Sequence, residues 1–200
     1  MIYKIIFKKE IGIYKEKGSV FHSIAMPIDS LNDMKYNLKI IKDEYFNSNH
    51  VCYAYRLFIN EHIDEYFSDG GEPKGSAGQP ILNVLKKNNL INSIIFVVRY
   101  FGGAKLGMPG LSNAYGYSAK NSIKNIQLNI WHLKKQVSLT FPYEFEGLLM
   151  FVINAFNAKI ITKDFKEDIQ ILIEIGQGQY GEFIRKIRSI SFDKINFKDI

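Results

Sequence analysis

The sequence predicts an α+β protein of two domains. Three observations carry this: a strand-sized, near-continuous apolar run at Ile94–Tyr100, separate stretches with helical apolar spacing, and a β-α-β-β-α-β order after residue 136. That last order suggests a small split βαβ domain. The expected domains are residues 1–132 and 136–200.

The elements follow in order. Ile2–Phe7 and Val20–Met26 read as strands, with Gly12 and Gly18 as punctuation. Asp29 and Ser30 precede Leu31, Met34, Leu38, Ile41 and Tyr45, whose spacing of three and four predicts an amphipathic helix. Ser30 with Asp33 resembles a capping box with the shorter acid. Val51–Ile59 is β-branched and aromatic, a strand with His62–Ser68 as its hairpin partner. The segment SDGGEPKGSAGQP, residues 68–80, holds too many helix and strand breakers to be either. Pro80 suits a first helical position, followed by Ile81, Leu82 and Leu85. After the Ile94–Tyr100 strand comes FGGAKLGMPG, then a helix with the small-residue face Leu111, Ala114, Ser118, Ala119, Ile123 and Ile126. Asn129–Gln136 is polar, basic and without period, hence a boundary, with Trp131 packing at the junction. Beyond it lie a strand (Val137–Phe141), a helix (Tyr143–Phe156), two strands (Ala158–Phe165, Asp168–Ile175), a helix (Tyr180–Ile190) and a closing segment with Ile195 and Phe197.

Composition excludes several classes. Of 200 residues, 46% are hydrophobic and 23% charged, an ordinary globular balance. No apolar run approaches the roughly 18 residues of a membrane helix, and the N-terminus lacks a cleavage-site pattern. A cytoplasmic location without a membrane partner is expected. The single cysteine, Cys52, makes neither an internal disulfide nor a cysteine-based zinc site. His50 stands two residues from it, but no oxyanion signature accompanies the pair, so a small buried thiol is the better reading. No metal site, cofactor or catalytic set is expected: His22, His62 and His132 are isolated.

Charge is more informative. The net charge is +6, and no acid occurs between Glu72 and Glu144. That span carries Lys74, Lys86, Lys87, Arg99, Lys105, Lys120, Lys124, Lys134 and Lys135. Such a stretch favours contact with a polyanion over a self-paired surface.

Two segments stand out as candidate sites. In Asp69–Gln79 the glycines, Gly75 among them, free backbone N–H groups for a ligand, Lys74 and Ser76 add a cation and a hydroxyl, and Asp69 and Glu72 add carboxylates. The competing reading is a tight connector that satisfies its own backbone. The second, RYFGGAKLGMPGLSNAY (residues 99–115), lies where a buried strand hands over to a helix. Gly107, Pro109 and Gly110 stand ahead of that helix, whose free N–H groups and dipole favour an anion such as phosphate or sulfate. Arg99 and Lys105 can reach it, Gly102 and Gly103 let the backbone approach, and Tyr100, Phe101 and Tyr115 can stack on bases. Phe101 reads equally well as core. The complementary charges of the two segments predict that they lie side by side, locked by an Arg–carboxylate pair.

The run SDGGEPKGSAGQPIL, followed by VVRYFGGAKLGMPGLSNAY and preceded by HVCYAYRLF, resembles the IMPACT (YigZ) family over about residues 18–120. The sequence departs from that family's pattern at Gly70 (second acid of an Asp-Asp pair), Val98 (threonine), Pro109 (glycine), Asn113 (a basic residue) and Val20 (lysine). The resemblance implies an N-terminal α/β sandwich like the second domain of a small-subunit ribosomal protein and a ferredoxin-like C-terminal domain as in elongation factor G. Eukaryotic relatives are translation regulators that bind a ribosome-associated protein; for bacterial-type members no role is established. The expected function is therefore non-catalytic binding of RNA or the ribosome in translation. The alternative is an enzyme or sensor of a small phosphorylated ligand, and a protein partner is a third reading.

Overall fold

The computed structural model describes residues 2–191 and 194–199, and the chain divides into two compact units, Met1–Trp131 and His132–Ile200.

Unit 1 is built on a five-stranded antiparallel sheet. Its strands are β2 (Glu10–Glu16), β3 (Ser19–Pro27), β4 (His50–Ile59), β5 (His62–Ser68) and β6 (Ser93–Tyr100), in the order β2-β3-β6-β4-β5. Helix α1 (Leu31–Glu44) covers one face, packing Met34 and Ile41 with Ile24, Tyr55, Leu57, Phe96 and Val98. Helices α2 (Gly78–Lys87) and α3 (Gly107–Ile123) lie side by side on the other, over Phe21, Ala25, Cys52, Ala54, Ile95 and Val97. Ser93–Arg99 is buried throughout, because β6 is the central strand of a sheet covered on both faces.

Both hairpins close through two-residue loops with positive φ. These are Lys17–Gly18 (φ 45° and 79°) and Asn60–Glu61 (φ 48° and 64°), the backbone twist that suits adjoining strands. A short pair, β1 (Lys4–Ile5) with β7 (Asn129–Ile130), ties the start of the unit to its end. Trp131 packs on Phe58, ring centroids 4.7 Å apart.

Several sequence expectations shift. The first strand shortens to Lys4–Ile5, and β2 lies where Gly12 was read as punctuation. Gly12 is mid-strand because α3 crosses it: a Cβ there would stand 2.4 Å from the Ser122 nitrogen. Ser30 caps α1, accepting from the Asp33 N–H at 3.1 Å, while the Asp33 carboxylate reaches back to the Asp29 N–H at 3.0 Å. Helix α2 begins at Gly78 rather than Pro80, and α3 at Gly107 rather than after Gly110. The expected boundary segment holds β7 and the start of β8.

Unit 2 comprises β8 (Lys134–Phe141), a 3₁₀ turn at Tyr143–Phe145, α4 (Glu146–Ala155), β9 (Lys159–Phe165), β10 (Ile169–Gly176), α5 (Gln177–Ser191) and β11 (Asn196–Asp199). The sheet order β11-β8-β10-β9, antiparallel throughout, is the ferredoxin-like arrangement. Val137, Leu139, Phe141 and alternate residues of β10 face Leu149, Val152, Phe183 and Ile187 of the helices.

Candidate functional site

The two glycine-rich segments meet at one edge of the unit 1 sheet, where β6 and β5 end, β4 starts, and α2 and α3 both begin. Close packing explains two of the glycines. A Cβ on Gly70 (φ 54°) would stand 2.2 Å from the Val51 carbonyl oxygen. One on Gly102 would stand 1.8 Å from the Gly18 carbonyl carbon. The aspartate of the family pattern has no room at position 70 on this loop path.

Asp69 organises the first segment. Its carboxylate accepts from the N–H groups of Gly75 (2.8 Å), Ala77 (3.1 Å) and Gly78 (2.8 Å), which caps α2 from nine residues away. Its carbonyl accepts from the Glu72 N–H and from the Cys52 thiol, each at 2.9 Å. Ser76 is buried and donates to the Pro73 carbonyl at 2.7 Å. Asp69, Gly75 and Ser76 therefore spend these polar groups inside the loop, whereas Lys74 is exposed. Burial pushes the Cys52 thiol up to about 12, so it stays protonated at neutral pH.

Glu72 joins the segments. Its Oε1 accepts from Arg99 Nη1 at 2.6 Å and from the Tyr115 hydroxyl at 2.8 Å, and its side chain is only 4% exposed. Arg99 is 5% exposed. Its Nη2 reaches Ser19 Oγ at 3.3 Å, and Ser19 Oγ also accepts from the Gly102 N–H at 3.1 Å. The guanidinium lies 5.4 Å from the ring centroids of both Phe21 and Phe101, and Nε is buried without a hydrogen-bond partner. Burial raises the Tyr115 hydroxyl far above the ordinary tyrosine range. The Arg99–Glu72 pair is a neutral clamp, and the local excess of positive charge is left to Lys105 and Lys74.

The other nominated residues separate. Tyr100 follows Arg99 on β6 and so points to the opposite face, where its hydroxyl donates to Asn47 at 3.1 Å and its ring packs on the α1 side. It is not placed to stack with Phe101. Gly107 and Gly110 belong to the first turn of α3 itself. Helix α3 has no side-chain cap and no acid in that turn, and Pro109 has no N–H to offer.

Beside that terminus is a cavity of about 290 Å³. Pro73, Phe101, Leu106, Met108 and Leu111 form an apolar wall, with Arg99, Glu72 and Lys105 at the polar side. Phe101 is 47% exposed and Met108 53%. Met108, Leu106 and Ser19 were not nominated from sequence; only the earlier helix start would have drawn Met108 in. A larger hollow of about 440 Å³ lies between the end of α1 and the start of β4, lined by Lys42, Tyr45 and His50, but no helix N-terminus opens on it. Among the described residues no His, Cys, Asp or Glu cluster is placed to hold a metal ion.

The nine basic residues of the acid-free span are not all unpaired. Arg99 pairs with Glu72, Lys86 with Glu65 (2.6 Å), Lys134 with Glu174 (2.5 Å) and Lys135 with Asp199 (2.6 Å). The acids come from outside the span, which a linear reading of charge does not see. No helix among the described residues is long and apolar enough to cross a membrane.

The family description Impact N-terminal domain matches residues 17–123. An IMPACT family member of Haemophilus influenzae is 30% identical over 176 residues, covering 86% of this chain and 82% of its own. IMPACT family member YvyE of Bacillus subtilis is 46% identical over 86 residues, which cover 43% of this chain and 39% of that protein. The crystal structure of a hypothetical protein has the same fold, with a TM-score of 0.74, 23% identity, and coverage of 100% of this chain and 97% of that one. The matched span runs from the β2–β3 turn to the last residue of α3, the stretch that builds the Asp69–Glu72–Arg99 clamp and the open helix terminus, and on this ground the chain belongs to the IMPACT family.

Proposed function

We propose that the protein binds RNA, free or within the ribosome, without catalysing a reaction on it, and acts in translation. One observation carries the reading: α3 begins without a cap, beside an exposed lysine and an exposed aromatic ring. The free N–H groups of Gly107 and Met108 and the helix dipole suit a phosphate. Lys105 has no ion-pair partner among the described residues and supplies the mobile cation. Phe101 and Met108 give a base an apolar surface to lie on. Glu72 does not spoil the site, because Arg99 neutralises it at 2.6 Å. Buried Cys52, Tyr115 and Glu72 hold the site in shape and touch no ligand in this reading.

Fluorescence anisotropy with single-stranded RNA across a salt series tests this. Wild-type affinity should fall steeply with salt. Lys105→Ala should weaken binding with little sequence preference and flatten the salt slope by about one unit. An unchanged slope would remove Lys105 from the interface. A small phosphorylated ligand is the second reading, favoured by the cavity of about 290 Å³, close to the lower end of small-molecule pockets. It would give saturable one-site binding with a shallow salt dependence, and absence of RNA binding at low salt would move it ahead.

A further inference from the structure

We propose that the outward face of the α2–α3 layer is the track along which a bound RNA strand continues from the α3 N-terminus toward Lys120 and Lys124. This rests on the RNA reading above and extends it from one phosphate to a path.

The exposed row of α3 is Pro109, Asn113, Tyr117, Lys120 and, at its C-cap, Lys124. Steps of three and four put these residues on one side of the helix. The adjoining helix α2 exposes Asn83, Lys86 and Lys87. Neither helix contains an aspartate or a glutamate. Helix α1, on the other face of the same sheet, mixes Asp33, Asp43 and Glu44 with Lys35, Lys39 and Lys42. Both acid-free helices therefore lie on one face of unit 1.

Local helix electrostatics do not account for it. Lysines near a helix C-terminus are favoured by the dipole, but the same dipole favours acids in the first turn, and α3 has none there. Pairing does not account for it either. Lys86 is held by Glu65, but Lys87, Lys120 and Lys124 have no ion pair among the described residues. Tyr117 stands between the terminus and the lysines, half exposed, backed by Tyr14 at 5.6 Å and flanked by Lys120 Nζ at 5.3 Å from its centroid. The acids that reach this side come from strands and are engaged: Glu16 accepts from the Tyr14 hydroxyl at 2.9 Å, Glu65 pairs with Lys86 at 2.6 Å and Glu10 with Lys8 at 2.9 Å. Amides, one aromatic edge and unpaired lysines match a phosphate backbone in charge. From Gly107 to Lys124 the row extends about 25 Å at the α-helical rise, a distance that asks for several nucleotides.

The test compares single-stranded oligoribonucleotides of about 3 and about 12 nucleotides on the full chain, each across a salt series. Lys120→Ala/Lys124→Ala should lower the salt slope for the long strand by about two units and leave the short strand unaffected. Lys105→Ala should weaken both. Lys35→Ala/Lys39→Ala, the same charge change on α1, should leave both near wild type. The track is overturned if the Lys120/Lys124 variant keeps the wild-type slope on the long strand, or if the α1 variant lowers it equally. It is also overturned if poly-glutamate of matched charge displaces the long strand as well as RNA does, since an acidic protein would then serve as partner. If wild type binds the short strand and lengthening adds no slope, the track fails and the terminal site stands. If wild type binds neither, the RNA reading fails first.

Discussion

Helices α2 and α3 lie side by side, start at the same edge of one sheet and begin with glycine, yet their N-termini are treated in opposite ways. At α2 the Asp69 carboxylate takes the Ala77 and Gly78 N–H groups, and its own loop is closed by Ser76 and Cys52. At α3 no side chain caps the terminus, no acid stands in the first turn, and a cavity opens beside it. Orphan N–H groups need partners. The first terminus has found its partner within the chain. The second keeps its donors for something else, and the Glu72–Arg99 clamp between them holds both in place.

The largest effect should come from breaking that clamp. Glu72→Ala would leave the Arg99 guanidinium buried with Ser19 as its remaining side-chain acceptor, at a cost of about 3–5 kcal/mol. Cys52 is the only cysteine and is buried in unit 1 beside the clamp, so its labelling rate under denaturant reports the loss in that unit. A loss below about 1 kcal/mol would show that the pair holds nothing. Next, Asp69→Ala uncaps α2 and strips the Gly75 N–H of its acceptor as well, for about 2 kcal/mol. Asp69→Asn should recover part of it, because an amide oxygen still accepts from Ala77 and Gly78. Cys52 labelling should accelerate in the alanine variant, because the loop that carries the thiol's backbone acceptor, the residue 69 carbonyl, loses the side-chain contacts that hold it.

The reverse change sharpens the contrast. Met108→Asp gives α3 the first-turn acid it lacks and should stabilise unit 1 by about 0.5 kcal/mol while weakening RNA binding. Tighter RNA binding by this variant would contradict the anion reading. Smallest of all, Lys105→Ala should change stability by less than about 0.5 kcal/mol, because the side chain is exposed. A larger loss would mean that Lys105 supports the loop.

How much was legible depended on how local the cause is. The β4–β5 hairpin and the β-α-β-β-α-β order of unit 2 were readable because alternation, helical spacing and turn residues act within a few positions. The Arg99–carboxylate pair was readable as a complementarity of charge. The strand at Gly12 was not, since the reason for that glycine is the Ser122 backbone more than a hundred residues away. Nor was the start of α2, whose cap is Asp69, or the start of α3, which lacks the usual signal. Nor was the place of Tyr100, read with Phe101 and Tyr115 as a stacking residue: the pleat sends it to the face opposite Arg99, on the α1 side.

By itself, then, the sequence determined the fold class, the family, the existence of a glycine-rich edge and the excess of lysine. Those follow from composition, periodicity and short motifs, which chain connectivity preserves. Tertiary structure alone decided which charges are cancelled. Glu65, Glu72, Glu174 and Asp199 reach into the acid-free span from other strands and loops and pair four of its cations, so the charge left for a ligand is set by burial and by through-space distance.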